Sequence, residues 1–266
     1  TQWIPPHRNG SNGCGAASIF TIRTFLTNNS MMQKLLPLLL AAVLLSSPSA
    51  AQAQPSPDVP DLTPYILTPP TPPTPRINGP KVFGARPNAQ FLFSVPVSGD
   101  RPMNFEADGL PKGLRIDTAT GQITGRVEKA GTYRVTVSAK NKLGVDSREL
   151  RIVIGDRIAL TPPMGWNSWN CWARDVTQQQ VLSSARAMVE SGLANHGWAY
   201  INIDDGWQGK RGGKYNAIQP NQKFPDMKAL TDEVHAMGLK LGIYSSPWIG
   251  TYAAHIGSYA DNPDGV

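Results

Sequence analysis

Residues 200–207 read YINIDDGW, a short apolar run that stops at two adjacent carboxylates, a glycine and a tryptophan. Two further apolar stretches end in comparable clusters, GWNSWN at 165–170 and YSSPW at 244–248. Ionised carboxylates accept hydrogen bonds from hydroxyl groups, and aromatic faces stack on the C–H patches of a pyranose, so these residue types together suit a sugar. A nucleotide site would need a glycine-rich phosphate loop, and none follows any of the three runs. The two cysteines, Cys14 and Cys171, form no Cys/His cluster of the kind zinc requires, so no metal site of that kind is expected, and no organic cofactor is expected either.

These clusters need strands to hold them. Apolar runs near 164–169, 198–204 and 239–245 read as strands. Between them lie two stripes of helical period: Val181, Leu182, Ala185, Met188, Val189 and Leu193, with Gly197 as the stop, then Met227, Leu230, Val234 and Met237, closed by Gly238. Repeated strand–helix units predict a parallel sheet covered by helices, and periodicity leaves open whether it is doubly wound or a barrel. In either architecture ligands meet the carboxyl ends of the strands, which is where the three clusters fall.

Upstream, residues 77–156 change character. FLFSVPV (91–97) alternates, GTYRVTVSAK (131–140) places Tyr133, Val135 and Val137 on one face, and ELRIVIG (149–155) does the same for Leu150, Ile152 and Ile154. Short strands separated by turn signals predict an all-β sandwich. The stretch GLPKGLRIDTATGQITGRVEKAGTYRVTVSAKNKLG resembles a bacterial putative-Ig, cadherin-like module. Residues 54–76 are proline-dominated and read as a linker. Residues 31–53 combine Lys34, an apolar run from Leu35 to Leu45 and the small-residue pattern Ala51-Gln52-Ala53, a signal peptide that predicts a secreted or periplasmic protein with no membrane insertion after cleavage. Residues 1–30 would precede the native start. Removing Arg8, Arg23 and Lys34 leaves 22 basic against 19 acidic residues, a net charge of +3 in place of +6, which gives no nucleic-acid footprint.

TPPMGWNSWN (161–170), YINIDDGW (200–207) and FPDMKALTDEVHAMGLKLGIYS (224–245) together resemble the opening third of the melibiase family, the retaining α-galactosidases and their relatives. The resemblance implies a multi-domain chain in which the sandwich is followed, over 160–266, by the first third of a (β/α)8 TIM barrel. It implies that Asp204, Asp205, Trp169 and Tyr244 bind a terminal α-galactoside. The two adjacent aspartates can share one sugar only where the strand has ended and the chain turns, which Gly206 permits. By the same resemblance the nucleophile and the acid/base, about 5 to 5.5 Å apart in a retaining glycosidase, come from the fourth and sixth strands and are expected beyond Val266, leaving no catalytic residue within this chain. An α-N-acetylgalactosaminidase or another α-glycoside hydrolase is the neighbouring alternative; a noncatalytic carbohydrate-binding or adhesion protein is the alternative of another class.

Two family positions differ. A cysteine pair common in the family corresponds to Arg174 and Gly206, both partners being absent together, and a further cysteine in a sugar-contacting segment corresponds to Tyr252. Of the remaining residues, Trp166 is expected in the core and His235 in a structural role. Trp207 suits either the pocket rim or the sheet edge. Lys210, Arg211 and Lys214 are expected on a solvated loop.

Overall fold

The computed structural model describes residues 70–157 and 159–259. The signal peptide, the upstream segment and most of the linker lie outside these residues. The first module begins with β1 (Arg76–Ile77), β2 (Val82–Ala85), β3 (Phe91–Ser94), β4 (Val97–Ser98) and β5 (Asn104–Asp108), and continues with β6 (Leu114–Ile116), β7 (Gln122–Gly125), β8 (Gly131–Asn141) and β9 (Gly144–Ile154). One sheet has the order β2-β9-β8-β5, a facing sheet β3-β7-β6, and β1 pairs with β4. Alternation explains the core. Phe91, Phe93, Val95 and Val97 from one sheet side meet Val135, Val137, Leu150, Ile152 and Ile154 from the other, all buried. Every member of this cluster falls between residues 77 and 154, so the sandwich closes its own core. Residues 70–157 expressed alone are therefore expected to unfold in one cooperative thermal transition; a broad, featureless melt would show that the module borrows its stability from the rest of the chain.

The second module runs β10 (Gly165–Asn167), α1 (Trp169–Trp172), α2 (Gln178–Glu190), β11 (Tyr200–Ile203), β12 (Gln208–Gly212), β13 (Ala217–Pro220), α3 (Met227–Ala236) and β14 (Lys240–Ile243). Strands β10, β11 and β14 pair in parallel, in register Trp166↔Ile201↔Leu241 and Asn167↔Asn202↔Gly242. Trp166, Ile201, Ile203 and Leu241 join the α2 and α3 residues Val181, Ala185, Leu230 and Val234 in one apolar cluster, as expected for Trp166. Thr177 and Gln180 form a capping box at the start of α2, and Asp226 caps α3 through the Ala229 N–H at 2.8 Å.

The structure corrects three expectations here. Helix α2 ends before Gly197: Gly192, at φ 80°, closes it, and a 3-10 turn over Leu193–His196 intervenes. Leu193 falls beyond the helix and Val189 on its outer face, and both are exposed and not part of the stripe. The glycine-rich stretch read as a loop is the hairpin β12–β13; Lys210 and Lys214 are exposed as expected, whereas Arg211 is half-buried and donates Nη1 to the Asn216 carbonyl at 3.0 Å and Nη2 to the Gly257 and Ser258 carbonyls.

The two modules touch at the amino ends of the parallel strands. Ser94 Oγ donates to the Gly238 carbonyl at 2.9 Å, Gln122 Nε2 to the Ala236 carbonyl at 3.1 Å, and Asn78 Nδ2 to the Asn195 carbonyl at 2.9 Å. Arg101 Nη2 reaches Asn195 Oδ1 at 2.7 Å. Gly238 has φ +79°, and a Cβ there would lie 2.2 Å from Ser94 Oγ, so the helix stop and the module contact demand the same glycine. Lys240 places its ammonium 4.7 Å from the centre of the Phe83 ring and 5.2 Å from that of Tyr200.

Candidate functional site

At the carboxyl ends of the strands the backbone stops pairing and polar side chains take over. Strand β11 ends at Ile203, so Asp204 and Asp205 stand beyond it on the turn to Gly206, whose φ of +108° favours glycine. A Cβ on Gly206 would lie 2.7 Å from the Arg174 carbonyl oxygen. The two positions where the family often carries paired cysteines are therefore neighbours here. Lys223 Nζ donates to that same carbonyl, a noncovalent tie between the segments.

Asp204 is oriented by three neighbours. Its Oδ2 accepts from Asn167 Nδ2 at 2.9 Å, its Oδ1 from the Asp205 N–H at 2.7 Å, and its own N–H donates to Ser168 Oγ at 2.9 Å. Asn167 Oδ1 accepts in turn from the Trp169 N–H at 2.9 Å, so one asparagine couples the carboxylate to the start of α1. Ser168 is fully buried. Trp169 is 36% exposed at this rim.

Asp205 is placed differently. It is 1% exposed, and both oxygens are engaged by the protein: Oδ1 accepts from Gln208 Nε2 at 3.0 Å, Oδ2 from the Ala253 N–H at 2.9 Å. Gln208, also buried, returns its Oε1 to the Gly206 N–H at 2.9 Å. The two carboxylates thus part company at the turn, Asp204 beside Asn167 and Asp205 under the loop that follows β14. Trp207 is buried in the apolar cluster and donates Nε1 to the Tyr244 carbonyl at 2.8 Å, which settles it as a core residue.

Tyr244 follows β14, its N–H donating to the Ile203 carbonyl at 2.9 Å. Loss of water contact, then the charges on Asp205 and Asp204, push its phenol above the ordinary tyrosine range, against a backbone N–H from Tyr252 that would favour the phenolate. Tyr244 therefore stays a neutral hydroxyl within the field of both carboxylates, able to donate and to accept. Sequence reasoning picked Asp204, Asp205, Trp169 and Tyr244 and missed Asn167, Ser168 and Gln208. The first two lay in the quoted GWNSWN stretch as polar residues at a strand end; Gln208 gave no signal.

Two apolar clefts, of about 480 and 430 Å³, lie at the other end of the strands, where Phe83 of the sandwich meets Tyr200 and Lys240. His235 lines the first of them, away from the carboxylates. Apolar concavity is the usual mark of a ligand site, but these clefts hold no paired acid or oriented carboxylate. The hydrogen-bonding chemistry is at the carboxyl ends. Among the described residues no group of three or more His, Cys, Asp and Glu side chains is placed to hold a metal, and Cys171 is a free, exposed thiol.

Comparison with known proteins agrees with this division. Residues 161–263 match the family model described as Alpha galactosidase A, and residues 48–155 match that of the Putative Ig domain. Alpha-galactosidase A of Cellvibrio japonicus is 50% identical over 105 residues, covering 39% of this chain and 26% of that protein. The alpha-galactosidase of Coffea arabica is 43% identical over 104 residues, covering 38% of this chain and 28% of that one. The chain thus spans about a quarter of the length of these relatives. A crystal structure of a putative alpha-galactosidase/melibiase from Bacteroides fragilis superposes with a TM-score of 0.67 at 48% identity, over 71% of this chain and 41% of that one. A second, of a putative alpha-galactosidase from the same organism, gives 0.68 at 44% over the same shares. Neither module alone fills 71% of the chain, so the superposition takes in both. Residues 161–263 are thus similar to the melibiase, or α-galactosidase, family as the opening strands and helices of its barrel, and they follow a stretch that matches the Putative Ig domain.

Proposed function

We propose that this chain is the opening part of an exported, retaining α-galactosidase that removes terminal α-D-galactose. The observation that carries the reading is Asp204, a carboxylate held at a parallel strand end by Asn167 and the Asp205 N–H, beside Tyr244 and the Trp169 rim. In this reading Asp204 accepts from galactose hydroxyls, Tyr244 adds a neutral hydroxyl, and Trp169 gives an apolar wall. Asn167 and Ser168 hold Asp204 in place. Binding of this kind lowers the barrier only when paired with a nucleophile and an acid/base, which the proposal assigns to residues outside these 266.

Support comes from the relatives' names and from the pairing of an oriented carboxylate with aromatic surface; the signal-peptide pattern at 31–53 supports export. The gene product containing this chain is expected to release product from an aryl α-galactoside with retention at the anomeric carbon, read by NMR of the first-formed sugar. The 266-residue chain by itself is expected to give no release above a blank. Activity of the isolated chain, or inversion by the longer protein, would sink the assignment. N-terminal sequencing of the secreted form is expected to begin near Gln54.

A further inference from the structure

The loop after β14 is bonded to itself far more than an idle surface loop needs to be. Ser246 Oγ donates to the Gly250 carbonyl at 2.8 Å, Thr251 and His255 exchange bonds of 2.9 and 3.0 Å, and Gly257 N–H donates to the Ile249 carbonyl at 2.9 Å. From outside, Asp205 holds the Ala253 N–H, and Arg211 of the hairpin holds the Gly257 and Ser258 carbonyls. A loop with this many bonds presents its side chains in fixed places. Yet Tyr252 is 102% exposed and Trp248 71%.

Their position gives the exposed rings a use. Tyr252 immediately precedes the residue bonded to Asp205, and its backbone N–H stands at the Tyr244 hydroxyl. Its backbone is thus at the rim of the carboxylate site, and its side chain is open to solvent. Resting on the galactoside reading above, we propose that Tyr252 is a specificity-determining residue: its ring is the face on which the sugar linked to the terminal galactose stacks. Galactose is held by hydroxyl-to-carboxylate bonds, whereas the next sugar meets only C–H-to-ring contact. The substrate class that profits is the α-galactosyl oligosaccharide, over galactosides whose leaving group has no ring to stack. Family members with a small cysteine at this position would lack that face.

The test uses the gene product containing this chain, with α-galactosyl fluoride and an α-galactosyl trisaccharide as substrates. Wild type, Tyr252→Ala and Tyr252→Phe are compared by the ratio of kcat/KM for the trisaccharide to that for the fluoride. Tyr252→Ala is expected to lower this ratio five- to twenty-fold, chiefly through KM for the trisaccharide, and Tyr252→Phe to keep it, since stacking needs the ring and not the hydroxyl. An unchanged ratio in Tyr252→Ala overturns the proposal, whether both substrates are untouched or both suffer equally; the second pattern would make Tyr252 a support of the galactose pocket. Failure of the galactoside reading looks different: the wild-type protein would cleave neither substrate.

Discussion

In the gene product containing this chain, Asp204→Asn is expected to lower kcat/KM for an α-galactoside by roughly 10- to 150-fold while leaving the melting temperature within a degree or two. Hydrogen bonds from a hydroxyl to a charged acceptor contribute about 1.5–3 kcal/mol, and the amide keeps shape while losing charge. Asp204 also accepts from two donors, Asn167 Nδ2 and the Asp205 N–H, but it is only half-buried, so water can take the donor that the Asn amide leaves. Asp205→Asn is expected to behave otherwise. Its buried carboxylate satisfies two donors, Gln208 Nε2 and the Ala253 N–H, and an amide has one oxygen to offer them. One donor then faces an NH2 group, a buried mismatch costing about 1–3 kcal/mol, so Asp205→Asn should lower the melting temperature by several degrees and free the loop that carries Tyr252. The motif alone predicts equal and purely kinetic effects for the pair. Steady-state kinetics with thermal melts of both variants decide: two stable, equally impaired proteins would mean that the Asp205 contacts contribute nothing.

That divergence shows where the sequence was legible. Strand ends, helix faces and the sandwich core follow from periodicity, because one buried face repeats every two or every 3.6 residues; Leu150, Ile152 and Ile154 are all buried as their spacing requires. The split between Asp204 and Asp205 is not periodic. It depends on a backbone N–H contributed by Ala253, 48 residues away, and on Gln208 lying on a hairpin. The hairpin itself was hidden because QGKRG and AIQP hold few β-branched or aromatic residues, and Arg211 ties it to carbonyls of a loop far along the chain. Gly192 and Gly197 are both left-handed, and only the structure tells which closes the helix and which closes the 3-10 turn. The seat of the Ig-like module was equally invisible, since it uses backbone carbonyls at Ala236 and Asn195 that any residue type could supply, and Gly238 reads in the sequence only as a helix stop. That seat lies at the amino ends of the strands. The module therefore works as a base under the barrel segment and leaves the carboxylate end open.

The contact between the modules contains a titratable group whose effect on stability has a definite sign. Lys240 is mostly buried between the Phe83 and Tyr200 rings, and burial lowers its pKa to about 8 from the usual 10.5. The other titratable groups lining the same clefts are Tyr200, His235, His196 and Arg86, none of them a carboxylic acid. Tyr200's phenol is pushed above its ordinary range by burial, so its ring stays neutral while Lys240 titrates. Between pH 8 and 10.5 the folded chain has lost a proton that the unfolded chain retains, so folding stability from this group rises with pH across that window. The full shift corresponds to about 3 kcal/mol, and attraction of the ammonium to the two rings offsets about 0.5–2 kcal/mol of it, leaving on the order of 1–3 kcal/mol. In a form beginning near Gln54 every tryptophan of this chain lies at residue 166 or later, so its indole fluorescence during urea unfolding follows the barrel segment. Wild type is expected to gain stability over Lys240→Met as pH is raised from 7 to 10.5, because methionine keeps the packing between the rings without the proton. Parallel pH profiles for the two proteins would place Lys240 in water and remove it from the contact between the modules.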